Sequence, residues 1–491
     1  MSEFLELGTR LLTIEDVVRV ARENMPVALA LSARERIAKG RTRLEELLAR
    51  GERIYGVNTG VGGNVGISLA PEEMDLLQHN LVRHLACATG QPLPNDVVRA
   101  ATLLRIATFL SGASAVRPEL VDALVALLNC GITPVVPRYG SVGASGDLMP
   151  SAYIARVLVG MGEAEFRGRR MSAEDALTAA GLKPISFAPK EALALINGTT
   201  MMTGVAALIW VDAFRVLRAL LDGVALAIEA TQSPALPFEP WVHELKGHPG
   251  QIAVAAYLRE RLAGSGYTQA SGGQSCYSLR CAPQGLGQVW EALESGRATV
   301  EREVNSANDN PLIHPDTGML YKAGNFYGGH IARLLDGWKL DFASMANWGN
   351  AIMAVLVDDR FNQGLPANLT PRPGANSGFK GMQLSVTSLA CAVRQMASPS
   401  SIHSLPTEQY NQDVVSLGMH AAVTAMDALE CLRNETAMVL LASAQAVDLR
   451  GGPEKLGHGS RETYDAVRRM AAFQDKDRAM EREVAAVAAA F

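Results

Sequence analysis

The segment of residues 201–230 most constrains the fold, because it is long, largely apolar, and interrupted by charges at regular intervals. Asp212, Arg215, Arg218 and Asp222 follow one another at spacings of three and four residues, which is typical of an α-helix. A membrane span needs roughly 18 or more uninterrupted apolar residues, so we expect a long, mostly buried helix instead. Similar periodicity recurs at residues 331–359, 381–398 and 413–448. The sequence therefore predicts a mainly α-helical chain.

The composition is that of an ordinary globular chain and argues against several function classes. Hydrophobic residues make up 48% and charged residues 19% of the 491 residues, which argues against disorder. The formal net charge is −5 and no Lys/Arg cluster stands out, so nucleic-acid binding is not expected. Strand-like alternation is confined to short pieces, which argues against a doubly wound nucleotide-binding sheet.

The six cysteines are scattered along the chain, whose first residues lack a charged and then apolar leader. Cys276 and Cys281 are the one close pair, and no second Cys or His pair stands at zinc-ligand spacing around them. We therefore expect reduced thiols in a cytoplasmic protein, with no membrane segment and no metal site.

Polar, glycine-rich loops separate the helical segments and hold most of the residues of chemical interest. Such loops on a helical scaffold commonly carry function, although each could be a simple helix connector. They read IYGVNTGVGGN (54–64), GSVGASGD (140–147), LINGTT (195–200), GGQSCYSLRCAPQ (272–284), NSANDNP (305–311), GNFYGG (324–329) and TEQYNQDVVS (407–416).

Two familiar interpretations of these loops do not fit. Around Ser145 the order Gly143, Ala144, Ser145, Gly146 is one residue short of the G-x-S-x-G elbow of serine hydrolases, and the sequence predicts no strand before it. Around Gly60 the glycine spacing matches neither a P-loop nor a dinucleotide-binding turn. Phosphate binding is therefore not expected.

The stretch GSVGASGDL, followed by a helix with Pro150 suited to its first turn, closely resembles a segment of the aromatic amino acid ammonia-lyases and aminomutases. In that family the segment becomes the 4-methylideneimidazol-5-one (MIO) group. The motifs YGVNTG, LINGT, YSLRCAPQ, NDNP, GNF and NQDVVS also match, in the family's order, and the resemblance spans almost the whole chain. A chance Ala-Ser-Gly carries no information, whereas this ordered set is highly specific.

The resemblance implies that Ala144, Ser145 and Gly146 cyclise into an MIO electrophile, with no external cofactor. Small residues are needed because the Gly146 nitrogen attacks the carbonyl of Ala144, while Ser145 supplies the hydroxyl that leaves. The positive end of the following helix would deepen the electron deficiency of the ring. Tyr55 is implied as the base that removes the β-proton. Its ordinary pKa of about 10 must be lowered by nearby positive potential if it is to act as phenolate.

The same resemblance implies that Arg280 binds the substrate carboxylate through its planar guanidinium. Any of the matching amides could instead be a plain hydrogen-bonding core residue. The other implied site residues are Asn197, Gln274 and Tyr277, which hold the MIO carbonyl, the carboxylate and the amine, Phe326 beside the MIO ring, Glu408 and Gln412 in the distal wall, and Gly62 as a backbone approach point.

The adjacent pair His84 and Leu85 favours tyrosine as the substrate. Tyrosine-selective members of the family carry His-Leu at this place, phenylalanine-selective members Phe-Leu, and histidine-selective members Ser-His. An imidazole can bond a phenolic hydroxyl in an otherwise apolar pocket, although His84 could also be a core histidine without substrate contact. Gln412 agrees with tyrosine, because histidine ammonia-lyases have a glutamate there. The product would be trans-4-hydroxycinnamate (p-coumarate).

Other features keep phenylalanine, with cinnamate as product, and an aromatic 2,3-aminomutase open as alternatives. Val61 replaces the family's usual phenylalanine, Tyr153 and the TEQYNQD motif resemble plant phenylalanine enzymes, and the loop GSGYTQASGG (264–273) is short for an active-site lid. A histidine ammonia-lyase or a non-catalytic homologue is a further alternative. A fumarase or argininosuccinate type of lyase lacks support because its SSxMPxKxN signature is absent.

By resemblance the fold is all-α, with the helical architecture of the fumarase and aspartase type. Residues 1–200 would form an N-terminal domain of helices and loops with the base loop, the selectivity pair and the MIO segment. Residues 201–450 would form a central bundle of long helices with the carboxylate-binding and distal-wall loops, and residues 451–491 a C-terminal helical segment. Relatives are homotetramers whose active sites combine loops of three subunits, so we expect a homotetramer acting on a small aromatic amino acid.

Overall fold

A computed structural model describes residues 4–268 and 274–491, and these residues are mainly α-helical. The four long helices predicted from apolar periodicity are present as α9, α14, α15 and α16, so the prediction of a mainly helical chain is confirmed. The helices are α1 Ile14–Arg22, α2 Leu31–Ala49, α3 Pro71–His84, α4 Asn95–Phe109, α5 Pro118–Cys130, α6 Leu148–Leu158, α7 Ala173–Ala179, α8 Glu191–Ile196, α9 Thr200–Ala230, α10 Pro240–Glu244, α11 Pro249–Leu262, α12 Tyr277–Arg280, α13 Ala282–Val304, α14 Gly329–Val357, α15 Lys380–Met396, α16 Gly418–Arg450, α17 His458–Met470 and α18 Glu481–Ala490.

The strands of the described residues are short and form sheets of two or three strands. They are β1 Leu5–Leu7, β2 Val27–Leu29, β3 Thr89–Pro92, β4 Thr133–Pro134, β5 Pro137–Tyr139, β6 Glu163–Phe166, β7 Arg169–Ser172, β8 Leu312–Ile313 and β9 Leu320–Tyr321. β1 pairs with β2 in parallel, whereas β3–β5, β4–β6–β7 and β8–β9 are antiparallel. The β6–β7 hairpin turns at Arg167 and Gly168, both at positive φ, as expected for a two-residue turn.

Local sequence explains where several helices begin and end. Thr13 and Asp16 form a reciprocal capping box at the start of α1, which satisfies backbone N–H groups that lack helical partners. Prolines occupy the first positions of α3 and α5, where a missing N–H costs nothing. Gly131 ends α5 in the left-handed region, with φ 73°, which glycine adopts without steric penalty.

The described residues divide into two compact units. Unit 1 comprises those of Met1–Leu208, Arg297–Leu335 and Pro399–Val423, and unit 2 those of Ile209–Gly296, Asp336–Ser398 and Thr424–Phe491. The three-part division into residues 1–200, 201–450 and 451–491 stays a prediction.

In unit 1, helices α3, α6 and α8 pack against one another. α3 ends at His84, α6 begins directly after Asp147, and α8 ends directly before Asn197. The packing of these three helices therefore brings three of the predicted site segments together. Beside them, α4 is buried from Val97 to Phe109 and packs against α1 and α5.

In unit 2 the core includes an aromatic cluster in which Phe214 makes edge contacts with Trp210 and Trp290. Glu435 of α16 is fully buried. Its Oε1 would lie 2.6 Å from a Cβ added at Gly349 of α14, so the small glycine leaves room for the carboxyl group. Burial raises the pKa of Glu435 to about 9, because the charged form loses its hydration.

Among the helices of residues 4–268 and 274–491, α14 is the one with the length and apolar composition of a membrane span. Core helices of globular proteins commonly meet the same criterion, so a single helix of this kind is weak evidence for a membrane span.

Candidate active site

A cavity of ≈ 240 Å³ lies in unit 1. Its walls combine apolar side chains with a few polar groups, which is usual for a small-molecule site. Nine of the predicted site residues line it, from five separate segments of the chain: Tyr55, Gly62, His84, Leu85, Ala144, Ser145, Asn197, Glu408 and Gln412. Val61, where the family usually has phenylalanine, also lines it.

The Ala144–Gly146 turn has an unusual backbone. Gly143, Ser145 and Gly146 have φ angles of 84°, 50° and 79°, a region that non-glycine residues rarely adopt. A Cβ added at Gly146 would lie 2.1 Å from the carbonyl oxygen of Gly198 and 3.0 Å from that of Phe326. Glycine is therefore required at position 146 by the close approach of the Gly198 and Phe326 carbonyl groups.

Hydrogen bonds hold the turn from two sides. Gly198 N–H donates to the carbonyl oxygen of Ser145 (3.0 Å), and Asp147 N–H donates to the carbonyl oxygen of Gly198 (2.6 Å). On the cavity side, Nε2 of Gln412 donates to the hydroxyl oxygen of Ser145 (3.2 Å). The carbonyl and the hydroxyl of Ser145 thus each accept a hydrogen bond from outside the turn.

Asp147 links this turn to α9. Its buried Oδ2 accepts the N–H groups of Met201 and Met202, both at 2.9 Å, and so caps the first turn of that helix. Burial raises the pKa of Asp147 to about 7. Pro150 lies in the first turn of α6, as predicted from sequence.

Tyr55 accepts a hydrogen bond at its hydroxyl oxygen from Gly62 N–H (2.8 Å). A phenolate base needs a lowered pKa, and the surroundings of Tyr55 within this chain act in the opposite direction. Burial, and then the nearby Glu408 carboxylate, raise the pKa of Tyr55, and the Gly62 N–H opposes them only in part. The pKa is raised because a half-buried phenolate loses water and faces a like charge.

The segment 407–412 brings Glu408 and Gln412 to the same cavity. Thr407 N–H donates to the carbonyl oxygen of Gln412 (2.9 Å), and Glu408, Gln409 and Tyr410 all have left-handed φ angles of 49°, 55° and 62°. The Glu408 carboxylate packs so closely on Gly62 that a Cβ added there would lie 2.0 Å from Oε2. Gly62 is therefore needed for this contact.

His84 is the last residue of α3 and lines the cavity with an exposed ring. Its Nδ1 lies 2.9 Å from the carbonyl oxygen of Asn80. A carbonyl can only accept, so Nδ1 is the donor of this hydrogen bond, and in the corresponding neutral tautomer Nε2 is an acceptor. Leu85 follows as a buried residue of the same wall.

Asn197 is buried at the end of α8. Its side-chain Nδ2 donates to the carbonyl oxygen of Asn310 (2.7 Å), within the NDNP motif. The main-chain carbonyl oxygen of Asn197 accepts a hydrogen bond from the buried guanidinium of Arg105 (2.5 Å). The position of this amide therefore depends on two distant segments of unit 1.

Gln274, Tyr277 and Arg280 belong to unit 2 and do not line this cavity. Gln274 is exposed, and Tyr277 is 72% exposed. The Arg280 guanidinium lies 4.7 Å from the centre of the Tyr277 ring, and its Nε donates to the carbonyl oxygen of Ser275 (3.0 Å). The part of the short loop 264–273 from residue 269 onward lies outside the described residues.

In the described residues, no group of three or more His, Cys, Asp or Glu side chains is placed to hold a metal ion.

The sequence profile described as aromatic amino acid lyase matches residues 12–469. The chain belongs to this family. Enzymes of the family are carbon–nitrogen lyases that depend on an MIO group.

Named relatives of this aromatic amino acid lyase differ in substrate. Curated relatives include a hal-like protein of Dictyostelium discoideum, 40% identical and covering 89% of this chain and 86% of the relative. Histidine ammonia-lyase of Geobacillus thermodenitrificans is 39% identical, with 97% and 95% coverage. Among solved structures, tyrosine aminomutase from Streptomyces globisporus has a TM-score of 0.95 at 33% identity, covering 99% of this chain and 96% of that one. The Pantoea agglomerans phenylalanine aminomutase has a TM-score of 0.94 at 32% identity, with 99% and 98% coverage.

These structural matches confirm the predicted fold class, the helical architecture of the fumarase type. The chain's own residues also fit an MIO group. Ser145 and Gly146 have positive φ angles, and Gly146 has no side chain to block the close backbone contacts that a backbone ring needs.

Sequence reasoning missed two kinds of residue in the site of this family member. Thr407 donates to Oε1 of Gln412 (3.2 Å), which turns the amide so that Nε2 faces Ser145. Leu81 and Leu193 form apolar wall. Their spacing of four residues from Leu85 and from Asn197, one helical turn, is a signal that could have found them.

Proposed function

We propose that the protein is a tyrosine ammonia-lyase, which eliminates ammonia from L-tyrosine without oxidation and yields trans-4-hydroxycinnamate. The observation that carries the proposal is the hydrogen bond of His84. Because Nδ1 is engaged by Asn80 at 2.9 Å, Nε2 is the ring nitrogen left to accept a bond from a phenolic hydroxyl in the cavity that His84 lines. Most of the wall around it is apolar, which suits an aromatic ring.

In this proposal Tyr55 removes the β-proton at its hydroxyl oxygen, and Gly62 N–H stabilises the phenolate. The MIO group supplies the electrophile that binds the substrate amine and makes it a leaving group. Since the pKa of Tyr55 is raised, the base needs positive charge that comes with the bound state. The substrate ammonium and the Arg280 guanidinium are the groups we assign to this task. The apparent kcat/KM should accordingly rise with pH across the alkaline range.

Arg280, Tyr277 and Gln274 act in this proposal from neighbouring subunits of a homotetramer. The exposed Tyr277 phenol and Gln274 amide are available to another copy of the chain, and the Arg280 guanidinium lies beside the Tyr277 ring, half-buried. Sedimentation of the active protein tests this assembly, and a monomer that is active at high dilution would contradict it. A cytoplasmic location stays a prediction.

The named relatives supply the competing outcomes. The histidine ammonia-lyase of Geobacillus thermodenitrificans is 39% identical, and two solved aminomutases have TM-scores of 0.94 and 0.95. Purified enzyme should therefore be incubated separately with tyrosine, phenylalanine and histidine, with cinnamate-type and urocanate absorbance followed and β-amino acids analysed. Preferred release of 4-hydroxycinnamate supports the proposal. Preference for phenylalanine or histidine, or β-tyrosine as the main product, would overturn it.

The intact mass of the purified protein tests the MIO group separately. Cyclisation of residues 144–146 requires the loss of two waters from the encoded mass. Full mass together with no turnover would identify a non-catalytic homologue.

A further inference from the structure

Arg105 is a buried cation that contacts the wall of the candidate active site through Asn197. It lies on α4 with 2% of its surface exposed. Its Nη1 donates to the carbonyl oxygens of Ala194 (3.1 Å) and Asn197 (2.5 Å), and its Nη2 to Oγ1 of Thr200 (3.2 Å). One guanidinium thus joins the end of α8 to the start of α9.

The bond to Asn197 connects Arg105 to the 144–146 turn through a single peptide group. The carbonyl of Asn197 and the N–H of Gly198 belong to the same peptide plane. That N–H donates to the carbonyl oxygen of Ser145 at 3.0 Å. A cation at one end of a peptide strengthens the donor at its other end, since hydrogen bonds in series polarise one another.

The cation keeps its charge at this depth. Burial lowers the pKa of Arg105 to about 10, while Asp309 and Asp147 act in the opposite direction. At neutral pH the guanidinium is therefore protonated and acts on the peptide as a full positive charge.

We infer that Arg105 is a positioning residue for formation of the MIO group, acting through the Asn197–Gly198 peptide on the carbonyl of Ser145. The inference rests on the proposed MIO chemistry. Gly146 N bonds to the carbonyl carbon of Ala144, and that oxygen leaves as water with the hydrogens of the Gly146 and Ser145 nitrogens. A second water takes the Ser145 hydroxyl and its Cα hydrogen. Withdrawing electron density from the Ser145 carbonyl acidifies this Cα hydrogen, and a fixed peptide holds the turn in its strained shape.

The same helix offers a matched control. Arg99 of α4 is also buried, at 5% exposure, and also donates to three acceptors, the carbonyl oxygens of Ala21, Leu128 and Val20 (3.2, 3.2 and 2.8 Å). None of these acceptors lines the cavity. Arg99→Met should therefore reproduce the loss of a buried guanidinium without changing the hydrogen bonds of the Asn197–Gly198 peptide.

The test measures the cyclised fraction by intact mass, immediately after a short expression and again after incubation, together with kcat and the melting temperature. Arg105→Met should lower the cyclised fraction and reduce kcat by about 10²-fold, whereas Arg99→Met should be fully cyclised at a similar loss of melting temperature. Arg105→Lys, which keeps the charge but not the fork geometry, should recover part of the cyclisation.

Several outcomes separate this inference from the proposed function. A wild-type protein of full mass overturns the MIO assignment and the inference with it. A cyclised wild type together with wild-type cyclisation and kcat in folded Arg105→Met overturns the inference alone. If Arg105→Met does not fold, Arg105→Gln decides, since it also removes the charge, and wild-type cyclisation and kcat in folded Arg105→Gln again overturn it.

Discussion

Replacing His84 with phenylalanine should shift the preference from tyrosine toward phenylalanine. His84 lines the cavity with Nδ1 bonded to Asn80, so the variant removes the acceptor that Nε2 offers to a phenolic hydroxyl. It also supplies an apolar surface for an unsubstituted ring. The bond to Asn80 is lost for both substrates alike and cancels from their ratio.

The magnitude follows from the exposure of the ring. Because His84 is exposed, water can satisfy Nε2 when a substrate without a hydroxyl is bound, and the penalty of a fully buried orphan acceptor does not apply. One net hydrogen bond of about 1 kcal/mol remains. This corresponds to a change of roughly fivefold in the ratio of the two kcat/KM values. Leu85 should matter less, since its leucine is common to both selectivity patterns.

The assay is steady-state kinetics with tyrosine and phenylalanine on wild type, His84→Phe and a control, His79→Phe. His79 lies on the same helix, α3, and contacts Phe187 rather than the cavity. The control should keep the wild-type ratio. If His84→Phe also keeps it within about twofold, a spread well below one hydrogen bond, then His84 does not read the substrate hydroxyl and the choice of tyrosine loses its support.

Three further predictions address the base, its loop and the buried carboxyl of unit 2. Tyr55→Phe should lower kcat roughly 10²–10⁴-fold, while the intact mass still shows the loss of two waters. Near-normal turnover would show that another residue is the base. Gly62→Ala should displace the Glu408 carboxylate, since its Cβ would lie 2.0 Å from Oε2 at φ +55°. It should destabilise by about 1 kcal/mol and lower kcat/KM, whereas Gly66→Ala, with open space around its Cβ, should do neither. For Glu435 the pKa is raised to about 9 in the folded chain, so its contribution to stability is full below the unfolded pKa of about 4.3 and is lost as pH rises through about 9. The melting temperature of Glu435→Gln relative to wild type should therefore increase from about pH 5 to about pH 9, and a constant difference would contradict the burial argument.

The sequence by itself determined the helices and the chemistry of individual motifs. Apolar periodicity is a local property, so the segments 201–230 and 331–359 could be recognised as helices from sequence. In the structure these helices are Thr200–Ala230 and Gly329–Val357. The glycine at 146 was also predictable, because a backbone ring needs small residues whatever surrounds them. The ordered set of motifs was likewise sufficient to place the chain among the aromatic amino acid lyases.

Tertiary structure alone decided how these residues act on one another. The raised pKa of Tyr55 depends on burial and on Glu408, which lies more than three hundred residues away in sequence. The contact of Arg105 with Asn197 likewise joins α4 to the end of α8. Spacing along a chain encodes which face of a helix a residue occupies, but not which distant segment packs on that face. Electrostatics and hydrogen-bond partners therefore follow only from the packed fold.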